Sequence, residues 1–242
     1  MPLVTIEELL EAGAHLGHKR SSWHPRAKEF IFMEKMGTHI IDVRKTIEYL
    51  EKAYNFVRNR IAEGGTILFV GTKKQAQDIV RELAEECGAF YITEKWLGGM
   101  LTNFETIRRS VLKMKRLREM RDNNDYPGLT KKEILTLQRE LARLERYLIG
   151  IEDMETLPSI VYITDVNKEM TAVKEARRLA IPIVAIVDTN VDPKLVDYPI
   201  PANDDSMYTI RLITSIIARA VKEGRSMLET GTYSEKQPTE AS

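Results

Sequence analysis

The sequence predicts an α/β protein, a doubly wound parallel sheet of about five strands carrying an inserted antiparallel helical hairpin. Three observations predict it. Short, continuous apolar runs (TILFVG, AFYI, SIVYI, PIVAIV and YPIPA) alternate with amphipathic helical segments. Strands that are apolar on both faces belong in a parallel sheet covered by helices on either side. Between the second and third runs this rhythm breaks over residues 103–149, where apolar residues recur at spacings of three and four. Finally, a hydrophobic content of 43% over 242 residues is enough for one large domain, or for a domain with an insertion.

In chain order, TIEELLEAG sets Thr5 and Glu8 in capping-box spacing and stops at Gly13, giving a short first helix. A histidine-rich loop follows. EFIFMEKMGTHIIDV reads as a β-hairpin turning at Lys35-Met36-Gly37. Residues 44–62 form a helix whose buried face is marked by Ile47, Leu50, Ala53, Tyr54, Val57 and Ile61. TILFVG is the first buried strand, TKKQAQDIVRELAEECG a helix ending at Gly88, and AFYI the second strand. In the insertion, Phe104, Ile107, Val111 and Met114 mark one arm. Turn formers Asn123, Asn124, Pro127 and Gly128 reverse the chain, and Thr130 with Glu133 forms a second capping box. Ile134, Leu137, Leu141, Leu144 and Leu148 then form a heptad seam, so the arms make an antiparallel coiled coil about 28 Å long at 1.5 Å per residue. The last three strands alternate with the helix KEMTAVKEARRLA and precede DDSMYTIRLITSIIARAVKEG. Right-handed crossovers complete a flavodoxin-like sheet. The expected division is 1–43 (helix, basic loop and β-hairpin), 44–102 with 151–227 (sheet domain), 103–150 (inserted hairpin) and 228–242 (a disordered or partner-dependent tail).

Lys+Arg and Asp+Glu are both 36, so a globally basic nucleic-acid binder is not indicated, but charge is segregated locally. Residues 9–28, LLEAGAHLGHKRSSWHPRAK, hold three of the four histidines and no acid from His15 to Lys28. Residues 108–121 hold seven basic residues and one acidic. The single Cys87 excludes an internal disulfide and fits a reducing compartment. The acidic N-terminus resembles neither a signal nor a transit peptide, and no run is long and apolar enough to span a membrane. A cytoplasmic protein is expected.

The chemistry-bearing motifs are incomplete. FVGTKKQAQ places a glycine, Thr72, Lys73 and Lys74 between a strand and a helix, as a phosphate cradle does, but lacks the second Gly-Lys-Ser/Thr of a P-loop. A tight turn capped by Thr72 is the plainer reading, and Lys73 and Lys74 meeting nucleic-acid phosphates is an intermediate one. No nucleophile elbow or Cys–His signature is present. His15 is expected to pack at the helix exit. Trp23 among Arg20 and Arg26 suits either nucleic-acid stacking or a core anchor for the loop. EKWLGGMLTNFETI is a substrate loop or, preferably, a hinge holding the hairpin, with Asn103 capping the long helix. If the last two strands are neighbours, Asp188, Asp204 and Asp205 converge at the carboxyl edge, where His24 would complete a mixed N/O site for zinc or magnesium. Alternatively Asp204 or Asp205 caps the last helix.

LLEAGAHLGH, WLGGMLTNFETI and PSIVYITDVNKEMTAVKEARRLAIPIVAIVDTN together resemble the ribosomal protein S2 family of the bacterial small subunit, over roughly residues 5–228. The resemblance implies a non-enzymatic structural protein of the small ribosomal subunit that needs no cofactor and is not a homo-oligomer. It implies binding to small-subunit ribosomal RNA near the head–body junction, contacts with neighbouring ribosomal proteins, and help in anchoring the mobile messenger-RNA-binding protein S1. On that reading the RNA-binding side chains are those of the basic loop (His18, Lys19, Arg20, Trp23, Arg26, Lys28), the lysines near the sheet edge (Lys73, Lys74, Lys95) and the first hairpin arm (Arg108, Arg109, Lys113, Lys115, Arg116). The rival is a nucleotide-dependent enzyme on a Rossmann-like fold.

Overall fold

The computed structural model describes residues 3–231. The chain opens with helix α1 (Ile6–Glu11), whose Thr5–Glu8 capping box is formed as expected. The histidine-rich segment is partly a strand, β1 (Leu16–Lys19), which the sequence did not announce. It pairs antiparallel with β3 (Thr38–Ile41), and β3 pairs with β2 (Ile31–Lys35), giving a small sheet of order β1-β3-β2. Met36 and Gly37 turn the β2–β3 hairpin with φ of 51° and 76°, the left-handed pair that a tight two-residue turn requires.

Helix α2 (Val43–Ala62), capped by Asp42, leads into the main sheet. The five strands are β4 (Ile67–Val70), β5 (Phe90–Ile92), β6 (Ile160–Ile163), β7 (Ile183–Val187) and β8 (Tyr198–Pro201). They are all parallel in the order β5-β4-β6-β7-β8, a doubly wound arrangement. Side chains alternate between faces with the strand period of two. Ile67 and Phe69 enter a core with α2, α3 (Gln77–Glu86) and α7 (Met207–Glu229). Leu68 and Val70 enter a second core with α6 (Met170–Arg178) and the inserted hairpin α4 (Phe104–Asp122) and α5 (Lys131–Leu148). Each fully buried Leu or Ile there contributes about 1.5–3 kcal/mol.

Two boundaries differ from expectation. Helix α3 begins at Gln77 because the preceding residues bend around Lys73, and its N-cap position, Ala76, carries no side-chain cap. Helix α7 continues through Glu229, past the expected start of the tail at 228, because Leu228 and Glu229 prolong the helical hydrogen bonding. The remainder of the expected tail, 232–242, lies outside the described residues.

The N-terminal segment closes over the end of the molecule. The hydroxyls of Ser206 and Thr209 both donate to the Ala12 carbonyl at 2.8 Å, and the Asn203 amide group reaches the Leu16 carbonyl at 2.5 Å.

Candidate functional site

The carboxyl ends of four parallel strands converge. Lys73 follows β4, Asp165 follows β6, Asp188 follows β7, and Asp204 and Asp205 follow β8. The Lys73 ammonium lies 2.9 Å from Asp165, 3.0 Å from Asp204 and 2.7 Å from Asp205. Strand β1 brings His18 to the same place. The backbone N–H of His18 donates to the Thr189 hydroxyl at 2.9 Å, its Nδ1 lies 3.0 Å from Asp188, and its Nε2 lies 3.6 Å from Asp205. Gly17 permits this approach, since a Cβ there would sit 2.7 Å from the Thr189 methyl.

The electrostatics follow from that crowding. The hydrogen bond to Asp188 raises the His18 pKa to about 9 against the opposing effect of burial, and the charges of Asp188, Asp204 and Asp205 add to the rise. Burial and the repulsion of Asp165 and Asp188 push Asp204 up to about 7, although Lys73 opposes them. Burial favours a neutral Lys73, but Asp205, Asp204 and Asp165 outweigh it and hold the ammonium charged. The hydrogen bond from Lys73 lowers Asp205. Four carboxyl groups thus face two cationic side chains. One donor atom each from His18, Asp188 and Asp204 lies within 4.8 Å of the others, a mixed N/O set suited to a divalent ion of intermediate hardness.

The structure brings together the three expected aspartates, but with His18 and not His24. His24 begins a 3₁₀ turn (Pro25–Phe30) and accepts from the Arg26 backbone N–H through Nδ1 at 3.3 Å. Neither aspartate caps α7. Ser206 does so by accepting from the Thr209 backbone N–H, while the Asn203 side chain accepts from the N–H groups of Asp205 and Ser206.

The cradle-like turn after β4 holds a protein carboxylate. Glu169 is 2% exposed, and one of its oxygens accepts from the Thr72 N–H at 2.8 Å and hydroxyl at 2.6 Å. Burial raises its pKa, with the Thr72 hydrogen bonds opposing. Thr72 is therefore tied to Glu169 and is not a helix cap. The position where open α/β sheets receive a phosphate is filled from within.

The expected RNA-contacting cations divide by their partners. In the loop, Lys19 and Lys28 are exposed and form no salt bridge with any described residue, while Arg20 pairs with Glu34 at 3.3 Å and Arg26 with Asp192 at 2.5 Å. The half-buried Trp23 ring meets buried His39 edge-on, 5.3 Å between centroids, so its surroundings include the protein's own core. Lys74 and Lys95 are exposed without salt bridges to described residues, whereas Lys73 is committed to the carboxylates. On the hairpin, Lys113 pairs with Glu140 at 2.5 Å and Lys115 with Asp153 at 3.0 Å. Arg108 donates to the Glu152 carbonyl and Arg109 to the Thr106 hydroxyl, and Arg116 forms no salt bridge with a described residue. The acids that neutralise Lys113 and Lys115 lie in α5 and after it, beyond what a charge count along one helix registers.

Glu175 was not singled out in the sequence, yet it organises the WLGGMLTN loop. Its carboxylate accepts from Trp96 Nε1, from the backbone N–H groups of Gly99, Leu101 and Thr102, and from the Thr102 hydroxyl, at 2.8–3.1 Å. The loop is thereby pinned to α6 at the base of the hairpin. Asn103 makes no capping hydrogen bond to α4; its side chain accepts from the Thr106 hydroxyl.

A groove of about 500 Å³ between α1 and the small sheet is lined by Ile6, Leu10, Leu16, Phe32 and Met33, all of them exposed apolar side chains. Patches of this kind mark protein contacts. Its signal in the sequence was weak: Ile6 and Leu10 four apart on a helix that buries Leu9, and FIFM with no alternation.

Residues 9–224 match the family model described as Ribosomal protein S2. The chain is 49% identical over 241 residues to the small ribosomal subunit protein uS2 of Mycolicibacterium vanbaalenii, covering 100% of this chain and 88% of that one. It is 50% identical over 224 residues to the protein of the same description from Nocardia farcinica, covering 93% and 79%. The figure is again 50% over 224 residues for that of Rhodococcus opacus, covering 93% and 78%.

Proposed function

The chain belongs to the ribosomal protein S2 family and is a structural, non-enzymatic component of the small ribosomal subunit, and from that premise we propose that its basic N-terminal loop holds it on ribosomal RNA near the head–body junction. The observation that carries this reading is the pair Lys19 and Lys28. They stand exposed and unneutralised on a loop fastened to the sheet through Thr189, whose hydroxyl accepts from the His18 N–H and whose carbonyl accepts from the His24 N–H. Arg20 and Arg26 flank them, and Lys74, Lys95, Arg109 and Arg116 add unneutralised charge elsewhere. Phosphate contacts of this kind position a protein without reading sequence.

The same reading assigns the apolar groove to ribosomal protein S1, because a protein partner buries apolar side chains and an RNA backbone does not. One reconstitution tests both assignments. Changing Lys19, Arg20, Arg26 and Lys28 together to Glu weakens incorporation into small subunits and flattens its log–log salt dependence by roughly 0.7–0.9 per lost phosphate contact. Phe32→Asp leaves the chain on the subunit but lowers the S1 content. Unchanged incorporation across the salt series overturns the loop, and undiminished S1 overturns the groove.

We also propose that the His18, Asp188 and Asp204 cluster, with Asp205 beside it, binds a divalent cation such as zinc or magnesium, supported by its excess of carboxylates over cations. An ion there would fasten β1, and with it the basic loop, to the sheet; it has no part in a reaction. Metal retained through dialysis is expected, together with a melting temperature that falls on chelation in the native chain but not in Asp188→Asn. Metal-free protein whose melting temperature ignores chelator removes the assignment.

A further inference from the structure

Helix α6 sorts its charges by direction. The acid at its N-cap and the one within it point inward: Glu169 at 2% exposure holds Thr72, and Glu175 at 7% holds the loop leading to the hairpin. Its cations point outward. Lys174 and Arg178 are four residues apart on one exposed face, Arg177 is exposed beside them, and Lys168 is exposed just before the first turn. Among the described residues none of these four makes a salt bridge, in a chain whose net charge is zero. The line continues at both ends. Lys168 shares a cleft of about 390 Å³ with Lys95, and Arg177 donates to the Lys194 carbonyl at 2.8 Å beside the exposed Lys194 side chain.

We propose that the outer face of α6 is a second docking strip for the ribosomal RNA backbone, separate from the N-terminal loop. The inference rests on the ribosomal role proposed above. From Lys168 to Arg178 the strip runs about 15 Å at 1.5 Å per residue, long enough to follow several phosphates of one strand. Glu169 and Glu175 are buried and bonded and so cancel little of the outward field, although Glu94 shares the cleft of Lys95 and Lys168, and Asp197 lies beside Arg177 and Lys194. Protein interfaces need an apolar centre. Here the only large exposed apolar side chain of the strip is Leu179 at its far end, whereas the chain's apolar groove lies at α1 and the small sheet. The chemistry favours a polyphosphate backbone over an acidic protein.

The test uses the full chain with Lys168→Gln, Lys174→Gln and Arg178→Gln combined. These positions are exposed, so an unchanged melting temperature is expected. Rebinding to small subunits stripped of this protein is measured across a salt series, beside the native chain and the loop variant. The strip variant is expected to bind about tenfold or more weakly near 0.15 M salt, with a log–log slope shallower by about 2–3. Native binding and slope in this variant, while the loop variant is impaired, overturn the strip alone. Impairment of the strip variant with a fully competent loop variant supports the strip and overturns the loop. A loss that leaves the slope unchanged, or that persists on subunit proteins freed of RNA by nuclease, identifies an acidic protein partner and overturns the RNA assignment.

Discussion

Glu175 shows how much one side chain can organise. A buried carboxylate is costly unless its lone pairs are filled, and here five donors fill them. Burial acts to raise its pKa, but the hydrogen bonds from Trp96, Thr102, Gly99 and Leu101 outweigh it, and the net shift is downward. A depressed carboxyl pKa contributes stability that is fully present above the unfolded value, about 4.3, and is lost as pH falls through the lower folded value. Glu175→Gln removes the charge and turns an N–H₂ group toward N–H donors, so a loss on the order of 3 kcal/mol is expected at neutral pH. Melting curves from pH 7 to 3 check it: the gap between native and variant chains should close as pH falls, and a constant gap would show that the carboxylate charge is not what stabilises the loop. In the sequence Glu175 was one more acid on an amphipathic helix. Its inward direction follows from its place between buried Val173 and Ala176, but its partners lie more than seventy residues earlier and leave no local trace.

The hairpin is the element whose periodicity was most legible. The seam expected at Leu141 and Leu148 is buried, with Leu137 and Leu144 partly covered, and Ile107, Val111, Met114 and Leu117 face it from α4. Ion pairs between the arms flank the seam: Lys113 with Glu140, and Arg118 with Glu145 at 2.9 Å. Burial weakens toward the turn, where Leu135 is exposed and Ile134 only half-buried, so the hairpin is held mainly from its base. Leu141→Asp buries an unpaired charge in the seam and should cost about 3 kcal/mol or more. If hairpin and sheet are separable modules, circular dichroism of that variant loses part of its helical signal while the sheet core melts cooperatively near its native temperature. Collapse of the whole fold would show that they form one unit. The strand β1 is the opposite case. Four residues with a central glycine carry no strand signal, and what makes them a strand is pairing with β3 and contact with Thr189, 171 residues from His18. The histidine that reaches the aspartates was misassigned for that reason, since the register of β1 selects His18 and a 3₁₀ turn occupies His24.

For the molecule as a whole, the α/β order was readable because strand and helix periods are local properties, whereas the distribution of charge was not. A net charge of zero conceals a carboxyl edge with four acids around Lys73 and His18, a hairpin that neutralises several of its own cations, and a helix that turns its acids inward. Exposed cations without an ion pair among the described residues include Lys19 and Lys28 on the loop and Lys174 and Arg178 on α6. The closure of the N-terminal segment over the start of α7 bears on how the chain is made. The Ala12 carbonyl waits for Thr209, 197 residues downstream. At about 5–20 residues per second, a ribosome exposes the first helix on the order of 10–40 s before its partner exists. The earliest part synthesised is therefore the last to lock, and a fragment that ends before Asp188 lacks both the hydroxyls that hold Ala12 and the aspartates that receive His18. If the basic loop docks the chain as proposed, assembly competence is tied to completed synthesis: an unfinished copy does not set that loop against the sheet and does not compete for a place on a new subunit.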